Sequence, residues 1–114
     1  MPLAKKTIQN IINEYTDVVK VRLPDSRLYV FGSTARGERK TTSDIDLLVV
    51  SKEFGQFPGM ERLILLSHLR RGLARKVPMD IIGLTPSEFQ SLRGAKNSYW
   101  RSVIADCVSG EAVG

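Results

Sequence analysis

Two apolar segments joined by a short polar stretch are the feature that most constrains how this chain can fold. The first covers residues 27–31 and runs into Gly32-Ser33, and the second covers residues 44–50 and opens with Asp44-Ile45-Asp46. Both are rich in the β-branched, aromatic and aliphatic residues typical of strands. A connection this short permits antiparallel neighbours, so the sequence predicts that the end of the first strand and the start of the second share one site.

The Asp-Ile-Asp sequence places two carboxylates on one face of the second strand. Residues two apart in a strand point the same way, so Asp44 and Asp46 project together while Ile45 and Leu47 project oppositely. Adjacent carboxylates repel each other unless a cation lies between them, and their hard oxygen atoms suit Mg²⁺. A lone Asp-X-Asp more often marks a solvated strand entry than a metal site.

The Gly-Ser pair predicts a turn that a ligand can approach closely. Gly32 has no Cβ, so a ligand can come near the backbone there. Ser33 or Thr34 is predicted to cap a short helix whose free N–H groups favour a phosphate. An ordinary strand-to-helix turn is the alternative for this pair taken alone. The combination of an apolar strand, Gly-Ser, a polar loop and Asp-X-Asp is the more specific signal.

Four acidic residues further along the chain are candidates for a third site carboxylate: Glu53, Glu61, Asp80 and Glu88. Glu53 lies in a loop-like stretch, and Glu61 and Glu88 lie where helices are predicted to begin, which explains them without a metal. Asp80 interrupts a strand-like run over residues 77–84, where a buried unpaired charge would be costly. We therefore favour Asp80, with a water-facing edge-strand position beside Pro78 as the alternative.

Hydrophobic periodicity predicts an α/β fold in which a small mixed sheet is packed with helices, as one domain over residues 1–114. Thr85 and Glu88 form a capping-box pattern that starts one further helix. Tyr99 and Trp100 are predicted to lie in the core, with a partner surface as the alternative, and Cys107 is predicted to be a small core residue. The predicted helices cover residues 3–22, 33–39, 60–76 and 98–109, and the predicted strands 27–31, 44–50 and 77–84.

Composition narrows the classes of function. The chain carries 17 Lys and Arg against 12 Asp and Glu, a net charge of +5, which favours anionic partners. Aromatic residues do not alternate with the basic ones, so direct nucleic-acid binding is not indicated. One Cys and one His exclude a Cys/His zinc site. No apolar run reaches the roughly 20 residues of a membrane span, and the first residues lack a signal core, so we expect a cytoplasmic protein.

The stretch from Leu28 to Gly37, followed by Ser43-Asp44-Ile45-Asp46 and four apolar residues, resembles the signature of the polymerase-β-like nucleotidyltransferases. It is most similar to their minimal stand-alone members, the MNT proteins. The resemblance implies that Gly32 and Ser33 hold the β- and γ-phosphates of a nucleoside triphosphate, and that Asp44 and Asp46 bind two Mg²⁺ ions. It further implies that Asp80 binds the catalytic metal and helps to activate the acceptor hydroxyl. Arg36 would support the phosphate turn, contact the leaving pyrophosphate, or simply brace the turn.

Minimal MNT proteins are commonly encoded with a HEPN ribonuclease toxin, which they neutralise by binding it and transferring AMP to it. The resemblance therefore implies an antitoxin that uses ATP and Mg²⁺ and whose acceptor is a hydroxyl on a HEPN-type partner protein. One alternative is a nucleotidyltransferase acting on a small molecule or an RNA end with the help of a second subunit. Another is a catalytically silent interaction module of the same fold. Homo-oligomerisation stays open.

Overall fold

The computed structural model describes residues 5–37, 44–94, 96 and 98–110. Helix α1 (Lys5–Arg22) comes first, and its apolar residues recur at helical spacing along one buried stripe that includes Ile11, Tyr15 and Val19. The helix predicted over residues 3–22 is confirmed across its described part, and residues 3 and 4 lie outside it.

The described strands form one mixed sheet in the order β3-β2-β1-β4. Strand β1 is antiparallel to β2 and to β4, and β2 is parallel to β3, so the predicted pairing of the first two strands is confirmed. The third strand begins two residues later than predicted, directly after Pro78, which has no N–H to donate to a ladder. The strands are β1 (Arg27–Phe31), β2 (Ile45–Val50), β3 (Met79–Leu84) and β4 (Val108–Ser109).

The described helices that follow α1 are short. The helix predicted over 60–76 is wrong as a single element, because the chain breaks after His68 and turns through Gly72 at a φ of +58°, which glycine adopts without strain. Helix α2 (Gly32–Arg36) follows β1; a 3₁₀ helix (Lys52–Gln56), α3 (Gly59–His68) and α4 (Leu73–Lys76) follow β2; and α5 (Pro86–Arg93) and α6 (Ser98–Asp106) follow β3. Helix α2 ends at Arg36, and predicted helix residues 38 and 39 lie outside the description.

The last predicted helix is wrong at its C-terminal end. Helix α6 stops at Asp106, and Val108–Ser109 pairs with β1 as the fourth strand, opposite Val30 and Tyr29. An apolar run that ends a helix looks the same in sequence as one that adds a short edge strand. The open edge of β1 decides between the two by offering backbone hydrogen-bonding groups.

The sheet is covered by helices on both faces. Residues Ile45, Leu47 and Val49 of β2 face a core formed with α1, α3 and α4, whereas Leu48 and Val50 face a second core formed with α5 and α6. The predicted α/β architecture, a small mixed sheet packed with helices, is confirmed. None of the described helices is both long and apolar enough to span a bilayer.

Burial departs from prediction on α3 and α6. Of the apolar stripe predicted along residues 60–76, Leu66 is buried, but Met60, Leu63 and Ile64 expose between 47% and 67% of their surface. Tyr99 is 55% exposed, while its neighbour Trp100 packs against the second core, so the predicted core position holds for only one ring. Cys107 is half-buried against the same core, where burial raises the pKa of its thiol to about 11.

Candidate active site

Three chain segments meet where β1 ends and β2 begins. Phe31, the last residue of β1, pairs with Asp46, and Asp46 pairs on its other side with Asp80 of β3. Residues that pair directly across neighbouring strands project from the same face, so the two carboxylates share one side of the sheet. Alternation along β2 makes this the side covered by α5 and α6.

A side chain at the position of Gly32 would collide with the Asp46 carboxylate unless that carboxylate moved. Its φ is +69°, a region that L-residues rarely adopt. A Cβ at this position would lie 2.3 Å from Oδ2 of Asp46, well inside van der Waals contact. The glycine is therefore required both by its backbone conformation and by its carboxylate neighbour.

Asp46 lies in an electrostatically unfavourable position. The pKa of its carboxyl is raised to about 6, first by partial burial and then by the negative charges of Asp80 and Asp44, while Arg36 lowers it. Asp44 and Asp80 are thus each within electrostatic reach of Asp46. Like charges that share a site disfavour ionisation unless a cation compensates them.

The donor set at this point is oxygen alone, which is the chemistry that Mg²⁺ prefers. Asp44 is exposed and directly precedes β2, rather than lying in the strand as predicted, while Asp80 is exposed within β3. Within the described part of the chain, no group of three or more His, Cys, Asp or Glu side chains is arranged as a ready-made metal cage. The fit to a metal therefore rests on ligand type, strand register and the mutual repulsion that a cation would relieve.

Helix α2 presents an uncapped N-terminus beside these carboxylates. The predicted cap at Ser33 or Thr34 is wrong, because the helix begins at Gly32 and its N-cap is Phe31, which supplies no side-chain acceptor. The first N–H groups of a helix have no partners within it, and they attract anions. Oγ1 of Thr34 is also buried without a hydrogen-bond partner among the described residues. The uncapped N–H groups at the start of α2 could bind a phosphate.

Arg36, at the end of α2, forms an ion pair and a hydrogen bond with Asp106 at the end of α6. The pair ties the Gly-Ser turn to the helix layer that covers this face of the sheet. The Arg36 charge also lowers the pKa of Asp46, so the guanidinium is electrostatically coupled to the carboxylate site.

A sequence model of the nucleotidyltransferase domain matches residues 12–103, which is most of the chain and contains the Gly-Ser turn, Arg36 and the three carboxylates. The chain belongs to the nucleotidyltransferase domain family. Among solved structures, it resembles a Sulfolobus solfataricus protein, known from a 1.40 Å crystal structure, whose own assignment as a nucleotidyltransferase is provisional. That match has a TM-score of 0.57 and 27% identity, and it covers 80% of this chain and 82% of the other. No curated protein sequence matches the chain significantly.

The other three candidates for the third carboxylate of the site either pair with another residue or lie away from Asp46. Glu53 forms an ion pair with Arg22 at 2.7 Å. Glu88 accepts from the N–H of Thr85 in a capping box and pairs with Arg62 at 2.7 Å, and the capping bond lowers the pKa of its carboxyl. Glu61 lies in the first turn of α3, where an acid suits the helix dipole. Of the four, Asp80 is the one paired in register with Asp46.

Asp106 is the residue of this nucleotidyltransferase site that sequence reasoning did not find. It follows an apolar helical run and has no motif around it. Its contact with Arg36 joins residues 70 positions apart, so the signal is purely tertiary. A charged residue at the end of an apolar helix was the sole local hint.

Proposed function

We propose that this chain is a Mg²⁺-dependent nucleotidyltransferase that transfers AMP from ATP to a hydroxyl group of a partner protein. One observation carries the proposal: the Asp46 carboxylate lies against the backbone of Gly32 and in register with Asp80. A phosphate bound at the Gly-Ser turn and a cation bound by the carboxylates would therefore be immediate neighbours. Family membership supports nucleotidyl transfer as the reaction class.

Each site residue receives a role in this proposal. Backbone N–H groups at Gly32 and Ser33 bind the β- and γ-phosphates, because the uncapped start of α2 leaves them without acceptors. Asp44, Asp46 and Asp80 would hold two Mg²⁺ ions, which would neutralise the triphosphate and favour ionisation of the acceptor hydroxyl. Arg36 holds the turn through Asp106 and adds positive charge near the leaving pyrophosphate.

The proposed reaction is one in-line displacement at the α-phosphorus. The acceptor oxygen forms a bond to that phosphorus while the bond to the oxygen bridging the α- and β-phosphorus atoms breaks, and pyrophosphate leaves with the electron pair. The carboxylate of Asp80, exposed at the sheet surface, takes up the hydroxyl proton. The products are an AMP-modified acceptor and pyrophosphate.

A protein acceptor suits the surface of this chain. Met60, Leu63 and Ile64 lie at helical spacing on the outer side of α3 and are all exposed, as in surfaces that another protein covers. The resemblance to MNT proteins suggests that the partner is a HEPN-type toxin and that the chain acts as its antitoxin in the cytoplasm.

The test is to incubate the protein with Mg²⁺, α-labelled ATP and a HEPN-type candidate partner protein. Intact-mass spectrometry should show the partner gaining the mass of one or more AMP groups. Asp46→Asn should abolish the label, whereas Asp17→Asn, the same chemical change on an exposed face of α1, should leave it intact.

Other outcomes point to the alternatives. Label on RNA or on a small molecule, with none on the partner, would replace the protein acceptor with one of those classes. A partner that binds without gaining mass from active protein would indicate neutralisation by occlusion. Absence of transfer to every acceptor, with intact ATP binding, would favour a silent module.

A further inference from the structure

A second cavity lies on the same face of the sheet as the carboxylates, at the opposite end of β1 and β2. Its volume is about 430 Å³, and it opens between the sheet and α5. We call it the distal pocket, and its main lining residues are Arg27, Tyr29, Val50, Lys52, Phe89 and Arg93. None of them belongs to the site described above.

The charge of the distal pocket is predominantly positive. Arg27, Lys52 and Arg93 contribute three cations, and among the described residues neither Arg27 nor Lys52 forms a salt bridge. Asp25 is the one carboxylate in the lining. Its oxygens accept hydrogen bonds from Oγ of Ser51 at 2.7 Å and the N–H of Lys52 at 2.8 Å, which keeps it turned toward the backbone. The pocket is therefore suited to an anionic group.

The aromatic rings of the pocket already contact other protein groups. Tyr29 and Phe89 stack on each other with centroids 5.1 Å apart, and the guanidinium of Arg93 lies 5.1 Å from the Phe89 centroid. Phe89 is only 7% exposed, so it offers no open face on which a nucleobase could stack. Single-stranded nucleic acid is usually bound through such faces, so the pocket favours carboxylates over a nucleic-acid strand.

The position of the pocket fixes its relation to the reaction. Val50 lies in the pocket and Asp46 in the candidate active site, four residues apart on one strand and on one face, which spans roughly 13 Å. Leu48 lies between them on this face and is completely buried beneath α5 and α6, so an acceptor segment that reaches both places must pass around these helices.

We propose that the distal pocket binds an acidic segment of the acceptor protein. This inference rests on the proposed function for the identity of the acceptor. The pocket would set which hydroxyl is modified by holding neighbouring Asp or Glu side chains against Arg27, Lys52 and Arg93.

The first experiment measures binding without catalysis. A fluorescent peptide that carries four consecutive glutamates is titrated with the protein, beside a version with four glutamines. We expect the glutamate peptide to bind and to weaken with added salt, and the glutamine peptide to bind at least about tenfold more weakly. Arg27→Glu with Lys52→Glu should raise the dissociation constant of the glutamate peptide at least about tenfold.

The matched control reverses the same two charges elsewhere. Arg75→Glu with Lys76→Glu, on an exposed turn of α4, should leave glutamate-peptide binding within about twofold of the wild type. A peptide with four lysines should gain affinity for the Arg27→Glu, Lys52→Glu protein. If that variant does not fold by thermal melting, Arg27→Gln with Lys52→Gln provides the milder test.

Two results would overturn the inference. Equal effects of the two charge reversals would mean that only net charge matters. The pocket would instead be a nucleic-acid site if the wild type bound a single-stranded RNA oligonucleotide but not the glutamate peptide, and if the Arg27→Glu, Lys52→Glu variant lost the RNA binding.

A second readout separates this inference from the proposed function. With a HEPN-type partner as acceptor, the Arg27→Glu, Lys52→Glu variant should have a higher KM for the partner than the wild type and the same kcat. A wild-type protein that labels no protein defeats the proposed function, whatever the peptides do. Normal labelling with an unchanged KM in the variant defeats the distal pocket alone.

Discussion

The two faces of the sheet use the same strands for different purposes. On the α1 face, Leu47 and Val49 are completely buried, and Tyr15 donates a hydrogen bond from its hydroxyl to the carbonyl of Leu66 at 2.7 Å. On the α5/α6 face, Leu48 packs in the second core, whereas Asp46, the next residue of β2 on that face, carries a carboxylate. One face is packed throughout, and the other changes from core to polar site within a single strand.

The packed face of the sheet holds in place the face on which the Asp46 carboxylate is electrostatically disfavoured. Asp46 is held where its own charge is disfavoured, and the strand stays in place because residues on its other side are fully buried. Strained or repelling groups persist only when the surrounding structure over-determines their position. Substitutions one residue apart on β2 should therefore separate activity from stability.

The largest expected effect is the loss of transfer in Asp46→Asn. Removing this charge takes away one proposed metal ligand, so labelling of the partner from α-labelled ATP should fall at least about a hundredfold. The fold should persist, because no described core contact is lost. Transfer at the wild-type rate would show that the carboxylate face is not the reactive one.

Leu47→Ala, the neighbouring residue on the packed face, should show the opposite behaviour. Its side chain is completely buried, and truncation should lower the free energy of unfolding by about 2–5 kcal/mol. Urea denaturation measures this loss. The labelling rate per folded molecule should stay near that of the wild type, and a rate as low as that of Asp46→Asn would remove the distinction between the faces.

Gly32→Ala tests the contact between the turn and the carboxylate. The substitution combines a left-handed backbone with a Cβ clash against Asp46, so it should both destabilise the fold and impair transfer. Gly72→Ala is the matched control, because its φ is also positive but a Cβ there meets no atom within 4 Å. We expect a cost of about 1–3 kcal/mol from backbone strain alone in the control, because Gly72 combines a φ of +58° with a ψ of −131°, and we expect transfer to be preserved. Equal effects on transfer would mean that strain, rather than the Asp46 contact, explains the glycine.

The smallest effect is a pH-dependent change in the stability of the metal-free protein. Folding raises the pKa of Asp46 from 3.8 to about 6, so the native state binds a proton more tightly than the unfolded chain. The free energy of unfolding should therefore decline as pH rises from about 4 to about 6 and remain lower above that range. Asp46→Asn removes this decline. At pH 7.5 the free energy of unfolding of Asp46→Asn should exceed that of the wild type by about 1 kcal/mol, a value that already allows for the partial exposure of the carboxyl. This difference should vanish near pH 4.

Thermal melts of wild type, Asp46→Asn and Asp17→Asn without metal measure that difference. Mg²⁺ with nucleotide should raise the melting temperature of the wild type and close the gap to Asp46→Asn. A gap that does not change with pH would contradict the electrostatic explanation.

Local sequence predicted much of the fold because its strongest signals are local. The bounds of β1, the antiparallel partner of β1 and the capping box at Thr85 follow from composition and short spacings. The break at Gly72 was missed because the apolar period continues past it. Strand β4 was missed because its pairing with β1 depends on an edge that forms only in the folded chain.

The residues of the candidate active site also fall into those marked by a local motif and those brought in by tertiary structure. Gly32 and Asp46 belong to a motif with fixed spacing, whereas Asp80 reaches them by strand register and Asp106 by a contact between helices. The cationic lining of the distal pocket also comes from separate elements, β1, the segment after β2 and α5, so no short pattern in the sequence marks it.

The most direct test of the candidate active site is paramagnetic broadening by Mn²⁺, as a substitute for Mg²⁺, in the presence of a non-hydrolysable ATP analogue. In backbone-amide NMR spectra, the loss of signal should centre on Gly32, Asp46 and Asp80, should require the nucleotide, and should disappear in Asp46→Asn. Broadening centred on Glu53 or Glu88, or broadening that persists unchanged in Asp46→Asn, would contradict this account.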